Sequence, residues 1–371
     1  MGYFAVLKPA DAGESEAFDI KRCHINMWVL PSFIPGRRLL YFDLGLEVLS
    51  LGEKPVKAVE VLLPFTVEEG FKGDQFRCCE DLYDALLHDE TAELIFGEPV
   101  AVSGPPQDRT LTLDSGDVLH PRHIDADRVT AAPDQPPRSS CYSVPLAVAV
   151  LPGRSAYVRF RFRVFANRPL LTGKSPFGGV ILDFRIADVR ESRTRSSEVD
   201  IRQRIMPIDK VNFFAMLPVQ YQLLTASPTP RNMRVLETHA WGKYLEGVAY
   251  RDTSKPQLVY YWRSEADCQV SSDNPFRVFA NYDRHLNKTL VVFWLILALL
   301  LIAAVVRSDW IPGISADTAR SGLAHLVSVF GLLTAAGVIA AGRWLFNTAM
   351  NRFAKPRLLF RRAERWVLGK L

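Results

Sequence analysis

Four side chains able to ligate a metal fall within eight residues: His120, His123, Asp125 and Asp127, in HPRHIDAD. Imidazole and carboxylate together suit zinc or manganese if the loop folds around the ion. Pro121 interrupts the cluster and no helical period fixes the ligand spacing, so a solvated polar loop explains the same residues. A membrane-tethered, metal-dependent enzyme would have to use this loop. The sequence holds no GxSxG, HExxH, GxGxxG or kinase pattern, so the expectation is a protein that is not an enzyme and carries no cofactor.

A second constellation is cationic. Arg159, Arg161 and Arg163 alternate with Val158, Phe160, Phe162 and Val164. Guanidinium groups at that spacing could bind an oxyanion, such as a nucleotide or a phosphate head group. Carboxylates on a neighbouring strand, such as Asp183, could instead neutralise them across the sheet. Ligand binding is assigned to this stripe. Thr172-Gly173-Lys174-Ser175 has the form of the end of a phosphate loop, but Arg168 stands where glycine is needed and Pro176 follows too closely for a helix to open. Cys78 and Cys79 are adjacent, and neighbouring cysteines rarely bridge each other.

The elements around these residues read as strands. Strict alternation over residues 157–166, and again over 180–190 and 42–48, predicts half-buried strands. Phe160, Phe162, Leu182 and Phe184 are assigned to the core, and the arginine face to solvent. Apolar runs at 144–151, 56–65 and 258–262 add further strands. Pro152-Gly153 predicts a hairpin between 144–151 and 157–166. One helix is expected over 80–88, where Leu82, Ala85 and Leu86 share a face.

Two charge-free runs dominate the C-terminal part. Residues 289–306 are fenced by Lys288 and Arg307, and residues 321–342 by Arg320 and Arg343. As helices they would be about 27 and 33 Å long, against a hydrocarbon core of about 30 Å. A transmembrane hairpin follows, with 307–320 as its external loop. The tail, 343–371, holds Arg352, Lys355, Arg357, Arg361, Arg362, Arg365 and Lys370. Apolar residues recur between them at helical spacing, so the tail reads as amphipathic and interfacial. Positive charge on that side places both termini in the cytoplasm of a two-pass protein of the cell inner membrane. In the second span Ala324 and Ser328, Gly331 and Ala335, and Gly337 and Ala341 are each four apart, a spacing that lets backbones approach and favours homo-oligomers.

The remaining chain divides into a β-rich region at 1–190, a charged linker at 191–204 and a smaller β-rich, membrane-proximal region at 205–285. The fold class expected is mainly β: a cytoplasmic antiparallel β-sandwich or barrel-like domain, then the hairpin and the short amphipathic tail. With 371 residues and a net charge of only +5 concentrated in the tail, a nucleic-acid-binding body is excluded. Five cysteines, odd in number and without CxxC spacing, together with an N-terminus lacking a signal-peptide pattern, point to a reducing compartment. The partners expected are the lipid bilayer, further copies of the chain, and a small ligand or a cytoplasmic protein. The function read from this layout is a membrane-anchored sensor whose hairpin responds to binding, in the manner of a membrane-disrupting effector. A passive membrane scaffold is the other non-enzymatic reading.

Overall fold

A computed structural model describes residues 3–284 apart from residues 11–12, 32–37, 68–69, 73–74, 106–107, 132–139, 167–169, 174–178, 190–196, 237–240, 242–243, 246–255 and 266–267. The chain is mainly β. Strands β1 (Ala5–Leu7), β2 (Phe18–Pro31), β3 (Arg38–Ser50) and β4 (Val56–Leu63) are followed by the short β5 (Thr66–Val67), β6 (Gly70–Lys72), β7 (Gln75–Arg77) and β8 (Cys79–Asp81). Helices α1 (Tyr83–Leu86) and α2 (Asp89–Phe96) lead to β9 (Val100–Ser103), β10 (Thr110–Leu113), β11 (Val118–Leu119), β12 (Pro121–Arg122) and β13 (Thr130–Ala131). Next come β14 (Ser140–Val150), β15 (Ser155–Ala166), β16 (Leu171–Gly173), β17 (Val180–Ile186) and helix α3 (Ser197–Arg204). The last five strands are β18 (Ile208–Pro218), β19 (Tyr221–Ser227), β20 (Asn232–Val235), β21 (Gln257–Arg263) and β22 (Phe276–Arg284).

Among the described residues the largest sheet has nine strands and runs β12-β15-β3-β2-β18-β21-β20, with β5 and β8 also on β15. Its long pairings β15–β3 and β2–β3 are antiparallel, whereas β18 lies parallel to β2 and β12 parallel to β15. Alternation decides which side chains face which way. On one face Cys23, Ile25, Met27, Phe42, Leu44, Phe160, Phe162 and Phe213 enter a core shared with two four-stranded sheets. Those sheets contribute Val59, Val61 and Val144 from β4 and β14, and Leu182, Phe184 and Val278 from β17 and β22. On the other face Trp28, Tyr41, Tyr157, Phe214 and Met216 form a second core. It is covered by Leu82 just before α1, Leu86 of α1, Ala92 and Ile95 of α2, Leu111 and Leu113 of β10, and Trp241, Tyr244 and Leu245. The large sheet is thus covered on both faces.

The four assigned core residues, Phe160, Phe162, Leu182 and Phe184, are fully buried together. Four sequence readings change. The expected hairpin at Pro152-Gly153 does not form: β14 pairs with β4 and β13, while β15 pairs with β3, so the turn carries the chain from one sheet to another. Gly153, at φ 72°, adopts the left-handed backbone that the corner requires. The helix expected over 80–88 starts three residues later and is joined by a second one, α2, which ends on Gly97 at φ 77°. Residues 205–285 do not stand apart, because β18 inserts beside β2, and Met1–Arg284 form one compact unit. The stretch read as a linker ends in α3, and Arg204 at its last turn bonds the Glu60 carboxylate and the Lys8 carbonyl.

Among the described residues no helix is long and apolar enough to cross a membrane. The hairpin at 289–342, its small residues Ala324, Ser328, Gly331, Ala335, Gly337 and Ala341, and the tail at 343–371 all lie outside the described residues.

Candidate functional site

The arginine stripe does not face solvent. Arg159 is 0% exposed and Arg161 is 2% exposed, while Arg163 is half-buried. Their face of β15 lies under the second core, and the reading of that face as solvated is corrected here. The side chain expected to neutralise them, Asp183, instead makes a bidentate pair with Arg185 on its own strand. The buried anion is Asp43, which the antiparallel register sets directly opposite Arg161.

The geometry around Asp43 is closed. Arg161 donates from Nε to Asp43 Oδ1 at 2.6 Å and from Nη2 to Oδ2 at 3.0 Å. Trp28 Nε1 and the Tyr244 hydroxyl also donate to Oδ2, at 2.8 and 2.7 Å. Arg161 Nη1 donates to the Tyr244 carbonyl at 3.3 Å, and its guanidinium lies 4.8 Å from the Tyr244 ring centroid. Charge-assisted, bidentate contacts of this kind are the strong members of the hydrogen-bond class. Burial works against the charge on Arg161, but Asp43 outweighs it and raises the guanidinium above its ordinary value.

Arg159 is held differently. It donates from Nε to the Tyr244 hydroxyl at 3.1 Å and from Nη1 to the Tyr157 hydroxyl at 3.3 Å. The Tyr157 hydroxyl also lies 3.0 Å from His24 Nδ1. Gly45 makes this arrangement possible, since a Cβ there would sit 1.9 Å from the Tyr157 oxygen. Towards the sheet's outer part Arg22 pairs with Asp117 and, at 3.4 Å, with Glu47.

Burial holds the His24 imidazole well below its ordinary value, aided by Arg22, Arg159, Lys210 and Arg263. A lowered folded-state value means that the unfolded chain takes up a proton near pH 6.5 that the folded protein refuses. This contribution to stability is therefore complete above about pH 6.5 and is lost as pH falls, at a slope approaching about 1.4 kcal/mol per pH unit. The raised Glu47 and Asp81 carboxyls act in the opposite sense, but nearer the ordinary carboxylate range. Denaturant titrations between about pH 7 and pH 5.5 should show stability falling on acidification, and His24→Asn should flatten the curve. An equal slope in the variant would assign the effect elsewhere.

The metal-ligand loop is not gathered. His123 Nδ1 lies 2.7 Å from Asp81 Oδ2, with the Tyr83 ring centroid 3.7 Å from its own. Asp125 approaches Arg128 at 3.5 Å. The backbone is strapped between sheets: the His120 carbonyl accepts from the Tyr157 amide and the His123 carbonyl from the Ala147 amide. Among the described residues no three His, Cys, Asp or Glu side chains, Asp127 included, converge as metal ligands. The pairing reaches out to β8 because Pro121 and Arg122 form β12 on the edge of β15. Cys79 is buried and Cys78 partly so, with Cys78 Sγ 3.6 Å from the Val129 carbonyl. Thr172 and Gly173 lie in the edge strand β16, and Lys174 and Ser175 fall outside the described residues.

The sequence reading missed Asp43, Tyr244, Trp28, His24 and Tyr157. A signal existed for the first: Asp43 and Glu47 alternate with the apolar residues of β3 and share the arginine face. None existed for Tyr244, which lies about 80 residues further along the chain, beside a bond from the Leu245 amide to the Trp241 carbonyl.

No protein-family model matches the chain, and no curated protein matches it. Among solved structures it is similar to an M1 zinc metallopeptidase from Deinococcus radiodurans, at 10% identity over 71% of this chain and 42% of that chain, with a TM-score of 0.31. It is also similar to a mutant two-domain M1 zinc metallopeptidase bound to L-tryptophan, at 11% identity over 74% of this chain and 44% of that one, with a TM-score of 0.30. The chain spans less than half the length of these structures, and a likeness at that level carries no argument about activity.

Proposed function

We propose that the protein is a two-pass membrane sensor of the cell inner membrane, with both termini in the cytoplasm. Its β-sandwich body binds a small ligand or a cytoplasmic protein, and a transmembrane hairpin at 289–306 and 321–342 responds. The observation that supports this reading is the place of β22. That strand is hydrogen-bonded on both sides, to β17 and to β19, and it ends at Arg284. Only residues 285–288 separate it from the first apolar run. A strand locked on both edges moves with its sheet, so a binding event that shifts the populations of the β-rich body is passed to the membrane run. The metal-dependent enzyme reading loses its ground, because His120, His123, Asp125 and Asp127 do not converge.

The response is assigned to association of hairpins through Ala324, Ser328, Gly331, Ala335, Gly337 and Ala341. A cysteine placed at Ser315 should label from outside intact cells, and cysteines at either end should not. In the full chain, Gly331→Leu combined with Gly337→Leu should abolish cross-linked oligomers in membranes while the β-rich body stays folded. Cross-linking equal to that of the parent would mean that the small face packs on its own first span, and the scaffold reading would take over.

A further inference from the structure

The contact between the sheet and the Trp241–Tyr244 turn contains a mismatch that its own side chains do not resolve. Two guanidiniums, Arg159 and Arg161, are buried there with one fully buried carboxylate, Asp43. Arg161 takes that carboxylate in a bidentate grip. Arg159 is left with two neutral phenol oxygens and no hydrogen-bonded carboxylate. Its Nη2 is buried without a hydrogen-bond partner, and so is Trp241 Nε1. Both residues lie near one ring: the Tyr244 centroid is 5.8 Å from the Arg159 guanidinium carbon and 5.1 Å from the Trp241 ring centroid. Both are donors, and both lack an acceptor. Leaving a buried donor unsatisfied is costly, more so when it is charged.

We infer that Arg159, with Trp241 Nε1, forms a binding site for a phosphate-class oxyanion, and that the Tyr244 hydroxyl occupies part of the arginine's donor set when no ligand is bound. A phosphate supplies what the cluster lacks: a negative charge for the second guanidinium and acceptor oxygens for two orphaned N–H groups. Arg159 can then exchange the neutral Tyr244 oxygen at Nε for an anionic one, and Asp43 retains Arg161 and Trp28. This names a ligand class for the sensor and rests on the reading of the β-rich body as its binding part.

The test uses the full chain in detergent micelles and compares unfolding midpoints in inorganic phosphate and in chloride at equal ionic strength. With phosphate at about ten times its dissociation constant the midpoint should rise by about 3 °C, because only the folded state binds. Tyr244→Phe removes the competing hydroxyl and should tighten phosphate binding several-fold, although the variant itself is less stable in chloride. Arg159→Gln should abolish the phosphate response. If that variant does not fold, Tyr244→Phe decides alone. Equal midpoints in phosphate and chloride for both the parent and Tyr244→Phe would overturn the inference and leave the cluster as packing. A mononucleotide and a short-chain phosphatidate present the same group from a soluble source and from a lipid head group. A response to either one supports the site and identifies the source. Phosphate binding without hairpin cross-linking would refute the sensor reading alone, and cross-linking without phosphate binding would refute this one alone.

Discussion

Arg161→Ser is expected to lower the unfolding free energy by about 3–5 kcal/mol, because it leaves the buried Asp43 carboxylate without its charged partner. Asp43 is 0% exposed, and two of its four hydrogen bonds come from Arg161. Trp28 and Tyr244 would still donate to it, but neither carries charge. Asp43→Ala should cost as much or more, since it leaves both guanidiniums without their one fully buried anion. The double variant decides the cause. If the loss comes from an uncompensated charge, removing both partners should cost well under the sum of the single losses. Additive losses in denaturant titrations would mean that the two side chains act independently, against the geometry. A loss for Arg161→Ser below about 0.5 kcal/mol would mean that water reaches the pair.

That expectation reverses the one drawn from the sequence, and the reason is physical. Alternation in TyrValArgPheArgPheArgVal marks two faces of a strand and assigns Phe160 and Phe162 correctly to the core. It says nothing of what covers the second face. An arginine row looks like a solvated face because arginine is rarely fully buried without a partner. Here the partner lies on β3 and the cover comes from α1, α2, β10 and the Trp241–Leu245 turn, distances along the chain that no local pattern encodes. The same logic explains the strands that went unread. In β18 nearly every residue is buried because β2 and β21 flank it and both faces are covered. Such a strand presents a continuous apolar run without a period. Strand β2 does carry the period, with Cys23, Ile25, Met27 and Val29 set against Arg22, His24, Asn26 and Trp28, and the sequence reading passed over it. The metal-ligand loop shows the opposite limit: composition places four ligands together, and the structure sets His123 against Asp81.

The buried polar layer also bears on the coupling proposed between the β-rich body and the apolar runs that follow it. Its residues come from β2, β3, β15 and the Trp241–Leu245 turn, and the other face of the same sheet shares its core with β17 and β22. Phe184 of β17 stacks on Phe213 of β18 at 4.4 Å, so packing is continuous from the large sheet to the sheet that ends at Arg284. Close-packed interiors transmit displacement instead of absorbing it.

Phe162→Asp tests the opposite face of the same strand and should leave no stable native protein. Phe162 is fully buried, paired in register with Phe42 on one side and Cys79 on the other, with the Tyr142 ring 5.5 Å away. A carboxylate placed there has no cation among these neighbours and loses its hydration, a penalty of several kcal/mol on top of the lost ring packing, about 3–5 kcal/mol for deleting a buried Phe. Together these approach the whole stability of an ordinary domain, about 5–15 kcal/mol. Phe162→Leu keeps the site apolar and should fold with a modest loss, which separates charge burial from loss of shape. Lys57→Ser, at an exposed position of β4, should change stability by no more than about 0.5 kcal/mol. Arg161 and Phe162 are consecutive residues pointing in opposite directions, and both substitutions are expected to be severe. That pairing is the signature of a strand enclosed on both faces. A folded Phe162→Asp variant with the parent's midpoint would require the β4–β14 and β17–β22 sheets to lie elsewhere.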